Sequence, residues 1–318
     1  MALVVPARYV CLLAHAAGAG CRCPGAPGPK GECELDHVPF YKENGYAVVR
    51  NVFAAADIAE LSTEFERMKS EGLKHRASFR HKNMLYVIGE DPRLGRILRF
   101  LQWPAYVSDV LQEYRVDRRL LEIVEPLIGN HLKQIINQLI WKPPGAEHTS
   151  YGFHQDCRFR RPATAYRHLA HSYVQTAIAV DPHRPENGCM RVYPRSHTLG
   201  DLAIGLEGSV YKAALDENAL RKKGLDPEDL VDLVLDPGDV ALWNPYTVHG
   251  SGPNLSTIDR RSYVNGYVIA QNCDRGEWAF RDGKPCALGE PVLVQYDDLF
   301  TRPEPHYVEG PPHPFREE

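Results

Sequence analysis

The sequence predicts a mainly β fold, a β-sandwich or jelly roll with helices packed on its outside. Three observations lead there. Patterns at helical spacing are confined to the chain before residue 130, whereas from Lys133 onward short β-branched and aromatic runs recur between turn signals. Asp236-Pro237-Gly238-Asp239 is a strong turn between two such runs, because proline sets its own φ and glycine tolerates positive φ. Helices first and many short strands afterwards is the order expected of a two-layer β core with helices outside it. A chain of 318 residues is long enough to build this as one undivided domain.

The elements follow in order. Residues 1–34 are rich in Ala, Gly, Pro and Cys, lack periodicity, and are expected to be a disordered extension before a single domain over 35–318. A small metal or redox appendage using Cys21 and Cys23 is the alternative, and the run beginning at Cys11 is too short and too weakly apolar for a signal peptide. Tyr46-Ala47-Val48-Val49 reads as a strand after the turn signal Asn44-Gly45. A helix opens at Asp57, with Glu60 as an acidic capping-box partner. It carries Ile58, Leu61, Phe65 and Met68 on one face, and Gly72 is its stop. Two more helices are expected, one over 104–114 and one opening at Asp117, where Pro126 should end or bend the pattern. Strands are expected over 134–142, 171–180, 189–193, 233–235, 240–243 and 260–270. The excursion 198–232 breaks their rhythm, carries a short helix capped by Asp226 with Pro227 next, and is either a lid or decoration.

Composition excludes several classes. Apolar residues at 43% and charged residues at 25% are ordinary for a globular protein with a real core. A net charge of −4 gives no general attraction to nucleic acid or anionic membrane, and no apolar stretch approaches a membrane span. Cys157, Cys189, Cys273 and Cys286 are scattered singly without zinc-ligand spacing and read as reduced residues of a cytoplasmic enzyme.

The informative segment is Tyr151-Gly152-Phe153-His154-Gln155-Asp156. On a helix, residues two apart point about 200° away from each other and cannot share an ion. In extended chain, alternation puts His154 and Asp156 on one side. A third ligand must come from elsewhere, and His249, directly after an expected core strand, is the candidate. Two imidazoles and one carboxylate on one face of an octahedron leave three positions open, which suits Fe(II) oxygen chemistry. A His-x-Asp triplet also arises by chance, and His249 could be an exposed loop residue among 14 histidines, so the pattern alone leaves both readings standing.

The stretch from Lys142 to Tyr267 resembles the phytanoyl-CoA dioxygenase family of iron- and 2-oxoglutarate-dependent oxygenases. The residues that carry the likeness are His154-Gln155-Asp156, Pro185-Glu186-Asn187-Gly188-Cys189, Pro194-Arg195-Ser196-His197, Pro237-Gly238-Asp239, His249-Gly250-Ser251-Gly252-Pro253-Asn254 and Arg260. Asn44-Gly45-Tyr46-Ala47-Val48-Val49 also looks like the family's first strand. The resemblance implies a double-stranded β-helix (jelly-roll, cupin-like) core with the metal at its open end, held by His154, Asp156 and His249. It implies Fe(II) as cofactor, 2-oxoglutarate and O₂ as cosubstrates, and oxidation of a small molecule with release of succinate and CO₂. His197 falls in what is a structural turn in the family.

The far carboxylate of 2-oxoglutarate needs a fixed cation, and a guanidinium can grip it with two parallel bonds. The family places this arginine eleven residues after the distal histidine, which is Arg260 here, and Ser251 matches a hydroxyl beside the same carboxylate. Arg261 is the competing choice, but alternation lets only one of the pair face the interior. Gln138, between Ile136 and Ile140, either faces the pocket or sits on a wet edge. The basic run holding Arg158, Arg160, Arg161, Arg167 and His168 is a solvated face or a cradle for an anionic substrate; Arg158, Arg160 and His168 are the candidate substrate contacts. Halogenases of this superfamily carry a small residue where Asp156 stands, so hydroxylation is expected here, with desaturation or cyclisation as variants. A cupin-like metalloenzyme without 2-oxoglutarate and a catalytically silent binding module of the same fold are the alternatives.

Overall fold

Two antiparallel sheets face each other across the interior. The structure, a computed structural model, describes residues 36–204, 217–291 and 304–308. The expected extension over 1–34 and the middle of the 198–232 excursion lie outside the described residues. The chain runs through α1 (His37–Asn44), β1 (Tyr46–Val49), α2 (Ala55–Gly72), β2 (Phe79–His81), β3 (Met84–Asp91), β4 (Gly95–Gln102), α3 (Asp109–Arg115), α4 (Arg118–Ile128) and β5 (Leu132–Lys142). It continues as β6 (Tyr151–His154), α5 (Leu169–Ser172), β7 (Tyr173–Ala179), β8 (Met190–Val192), α6 (Glu217–Lys222), β9 (Val231–Asp232), β10 (Val240–Trp243), β11 (His249–Ser251) and β12 (Arg260–Ile269). Strands β13 (Glu277–Arg281), β14 (Lys284–Pro285) and β15 (His306–Tyr307) complete it.

The larger sheet has the order β1-β10-β7-β12-β5-β4-β3-β2-β15, with β13 and β14 joined to the free end of β5; the smaller has the order β6-β11-β8-β9. This is the jelly-roll core with flanking helices that the sequence predicts. Period-two alternation divides the larger sheet's side chains. Leu139 and Trp141 of β5, Ile178 of β7, Leu242 of β10 and Tyr263 of β12 pack with Leu61, Phe65 and Met68 of α2 into the outer core. Ile136, Ala177, Ala241 and Val264 point the other way and meet Met190 and Val192 of the smaller sheet. The interior face therefore belongs to even positions on β5 and β12 and odd positions on β7 and β10.

Several elements depart from expectation for identifiable reasons. Helix α2 begins at Ala55, not Asp57; Asp57 is its third residue and accepts a hydrogen bond from the Ala54 N–H at 2.7 Å. The acidic residue is thus the back-reaching half of the cap. Its end is Leu73 in a helical conformation, so Gly72 is the last helical residue and not a left-handed stop. Pro126 lies inside α4 without ending it, since only Leu127 and Ile128 follow and the bond proline removes belongs to the last turn. The short helix after Asp226 is a single 3₁₀ turn, Pro227–Asp229, with the expected cap from Asp226 to the Glu228 N–H. Helix α1 and the β2–β4 meander were not expected at all. The hairpin between β3 and β4 turns at Asp91, whose Oδ1 accepts from the Arg93 and Leu94 N–H groups at 3.0 and 3.2 Å.

Gly45 anchors the framework of the site. It closes α1 at φ 79°, and any side chain there would meet His197 and Thr247. Its carbonyl accepts from the Asn244 N–H at 2.8 Å and the Thr247 hydroxyl at 2.6 Å, tying β1 to the loop that leads into β11. Among the described residues no helix is long and apolar enough to cross a membrane. Cys157, Cys189, Cys273 and Cys286 are unpaired.

Candidate metal centre and the pocket beside it

His154 ends β6 and His249 begins β11, and the two are direct partners in the antiparallel register. Cross-strand partners point to the same face, so the imidazoles come side by side with ring centroids 4.2 Å apart. Gln155 keeps an extended backbone, and Asp156 then opens a 3₁₀ turn on the same side, as the His-x-Asp spacing requires. His154 Nε2 lies 3.7 Å from Asp156 Oδ1, and His249 Nε2 lies 3.8 Å from Asp156 Oδ2. One donor atom from each of the three lies within 4.8 Å of the others, all buried.

The surroundings set the protonation that a metal needs. His154 Nδ1 meets the Gly152 carbonyl at 2.7 Å and His249 Nδ1 meets the Thr247 carbonyl at 2.9 Å. A carbonyl can only accept, so both Nδ1 atoms carry a proton and both Nε2 atoms are left facing the centre. Burial, then the neighbouring His249, pushes His154 down to about 4, which keeps it neutral at neutral pH. For Asp156 burial works against ionisation, but His249, His154, the Arg160 guanidinium and the Trp243 indole outweigh it and hold the carboxyl below its usual range. A carboxylate and two imidazoles, converging and oriented from behind, fit a divalent iron ion.

Trp243 was missed in the sequence. Its indole Nε1 donates to Asp156 Oδ2 at 2.9 Å from the inward face of β10. The alternation along Val240-Ala241-Leu242-Trp243 was the available signal, since it places Trp243 on the same side as Ala241. Trp243→Phe is expected to weaken Fe(II) binding by about 10–100-fold, the usual effect of removing a hydrogen bond from behind a ligand. A metal titration of the two proteins checks this, and equal affinities would leave the indole without a role in holding the carboxylate.

A cavity of about 160 Å³ opens beside the three residues. Gln138, Ser251 and Arg260 line it, with Tyr151 and His183, which the sequence did not single out. Gln138 is on the inward face of β5, so the wet-edge alternative does not apply. Arg260 is buried and its Nε has no hydrogen-bond partner among the described residues. Arg261 faces the opposite way, donating to Asp181 at 2.7 and 2.8 Å and to Glu66 at 3.0 Å.

The basic run divides into separate places. Arg160 is 2% exposed, lines the cavity, and has Nε and Nη1 buried without hydrogen-bond partners among the described residues, while its Nη2 donates to the Tyr173 hydroxyl at 3.3 Å. Arg158 donates instead to Asp201 at 2.7 Å and does not line the cavity. His168 lines a second cavity, of about 370 Å³, together with Arg161 and His171; Arg160 borders both. His197 lies away from the centre, 3.3 Å from the Lys42 carbonyl.

Residues 41–262 match the family model described as phytanoyl-CoA dioxygenase. The chain belongs to the phytanoyl-CoA dioxygenase family. A "probable alpha-ketoglutarate-dependent hypophosphite dioxygenase" of Stutzerimonas stutzeri is 25% identical over 72% of this chain and 77% of its own length. The peroxisomal phytanoyl-CoA dioxygenase of Bos taurus is 26% identical over 75% of this chain and 69% of its own. The fold is similar to the epimerase SnoN, crystallised with Fe³⁺, alpha ketoglutarate and nogalamycin RO, with a TM-score of 0.53 and 21% identity over 80% of this chain and 96% of that one. Phytanoyl-CoA dioxygenase family proteins use Fe(II), 2-oxoglutarate and O₂, and this chain is an oxygenase of that kind.

Proposed function

We propose that the protein hydroxylates a small anionic metabolite, with residues 35–318 as one catalytic domain. His154, Asp156 and His249 hold Fe(II), Arg260 grips the far carboxylate of 2-oxoglutarate, and Ser251 and Gln138 complete that end of the pocket. The observation that carries this reading is a complete set of three ligands and an unpartnered buried guanidinium lining a single cavity. Iron with 2-oxoglutarate and O₂ supplies the oxidising power and releases succinate and CO₂. The chain's own part is to hold the carboxylate and imidazoles in place, to fix the cosubstrate's far end, and to exclude water with apolar walls such as Ile136, Phe159 and Val264. Because Asp156 is present, the ligand set leaves no vacancy for chloride, which favours hydroxylation over halogenation.

The anionic substrate rests on Arg160. Asp156 supplies a nearby negative charge, but the buried Nε and Nη1 atoms of this guanidinium have no hydrogen-bond acceptor among the described residues, and a ligand's negative group would supply one. The Stutzerimonas relative is named for hypophosphite, itself an anion. Arg158 and His168 are left to the approach to this site, one tied to Asp201 and the other lining the second cavity.

The test is succinate formation with Fe(II), ¹⁸O₂ and excess chloride across a panel of carboxylates, phosphonates, phosphates and neutral analogues. An anionic substrate should stimulate turnover and emerge with one labelled oxygen. Arg160→Gln should raise its KM by about 10–100-fold, the usual loss of a charged hydrogen bond, and leave that of 2-oxoglutarate alone. A chlorinated or unlabelled product overturns hydroxylation, and stimulation by neutral compounds alone overturns the role of Arg160.

A further inference from the structure

Lys142 stands directly across from Arg260 in the β5–β12 ladder, and its side chain is fully buried. Among the described residues no carboxylate pairs with either, so two basic side chains share one low-dielectric place. The groups facing Lys142 are Arg260, Arg99 and Cys189, with the Tyr151 ring 5.3 Å from its Nζ. Such a pair is costly unless an anion completes it.

The lysine does not line the cavity itself. Its Nζ donates to Ser251 Oγ at 2.6 Å, to the Gly252 carbonyl at 2.5 Å and to the Gly188 carbonyl at 3.4 Å. Gly188 can offer that carbonyl because its backbone is left-handed and a side chain there would collide with the Gly252 oxygen. An ammonium has three donors and no acceptor, and these acceptors use all three. A serine oxygen that accepts from an ammonium must send its own proton elsewhere. Ser251 lines the cavity beside Arg260, and no protein acceptor takes that proton among the described residues.

We propose that Lys142 is a positioning residue of the cosubstrate site, locking the Ser251 hydroxyl so that its proton points into the cavity to meet the carboxylate held by Arg260. This rests on the assignment of Arg260 and Ser251 to 2-oxoglutarate. Burial, then Arg260 and Arg99, draws Lys142 well below the ordinary lysine range in the ligand-free protein. The arriving carboxylate reverses that pull and favours the ammonium form, in which Nζ donates to Ser251 Oγ as well as to the two carbonyls.

Anaerobic calorimetry of 2-oxoglutarate binding to the Fe(II) protein tests this with Lys142→Met, Ser251→Ala, their double variant and Arg260→Ala. Each of the first two should weaken 2-oxoglutarate by about tenfold or more with Fe(II) affinity unchanged, as expected for a charge-assisted bond lost. The double variant should be clearly less weak than the product of the two single losses, because both act largely through one hydroxyl. Lys142→Gln, which keeps N–H donors, should recover part of the loss. Two results overturn the proposal: wild-type affinity in Lys142→Met, or a loss in that variant that repeats in full on the Ser251→Ala background. If Lys142→Met does not fold, Lys142→Gln carries the same cycle and additivity there overturns it equally. Arg260→Ala separates the two ideas, since unchanged affinity in that variant sinks the cosubstrate assignment, whatever Lys142 does.

Discussion

Replacing His249 by alanine is expected to abolish turnover while leaving a folded protein. His249 contributes one of the three donors brought together among the described residues, and its removal leaves His154 and Asp156, too few to hold iron in place. The loss should exceed the roughly 100-fold that follows from disturbing a ligand only from behind. The ring makes one hydrogen bond, to the Thr247 carbonyl, and packs beside the His154 and Trp243 rings, so the variant should lose about 0.5–3 kcal/mol of stability, the range of most single substitutions. Thermal melting gives a readout independent of activity. Fe(II) should raise the melting temperature of the wild type, because it binds the folded state alone, and should not raise that of His249→Ala. Near-native iron content in the variant would remove His249 from the centre.

Arg260→Ala is expected to weaken 2-oxoglutarate by about 2–5 kcal/mol, which is a factor of about 30 to several thousand in affinity. The neighbour serves as the control. Arg261 is buried against Asp181 and Glu66 on the helix side of the sheet, so Arg261→Ala should lower the melting temperature and leave cosubstrate affinity unchanged. Arg260→Ala should do the reverse, since it also relieves the crowding with Lys142. Titration of 2-oxoglutarate into both variants, with melting curves, decides it; a cosubstrate defect in Arg261→Ala alone would mean that the wrong strand face has been chosen.

What was legible in the sequence was what local period and spacing determine. Strand alternation over Arg260 and Arg261 separates a cavity-facing from a core-facing arginine, and the structure divides them that way. The His-x-Asp triplet has geometric meaning in extended chain alone, and its chain is extended up to Asp156. The β3–β4 hairpin does have a local signal, since Asp91-Pro92-Arg93-Leu94-Gly95 is an ordinary turn sequence between two strand-like runs. Lys142 could not have been found, because its meaning depends on its register with Arg260 and on three acceptors from two other segments. The basic run shows the same limit. In sequence it is one cluster, but the 3₁₀ turn after Asp156 sends Arg158 to Asp201, Arg160 inward, and leaves His168 at the second cavity.

The central claim is that one site binds both Fe(II), through His154, Asp156 and His249, and 2-oxoglutarate, through Arg260. Anaerobic titration of the Fe(II) protein with 2-oxoglutarate, followed by visible absorption, tests it most directly, because a 2-oxo acid bound to Fe(II) produces a charge-transfer band. The wild type should develop that band and saturate at one equivalent, Arg260→Ala should need far more cosubstrate to reach it, and His249→Ala should not show it. A wild type that binds iron yet develops no band, or a His249→Ala protein whose band is undiminished, would contradict the assignment.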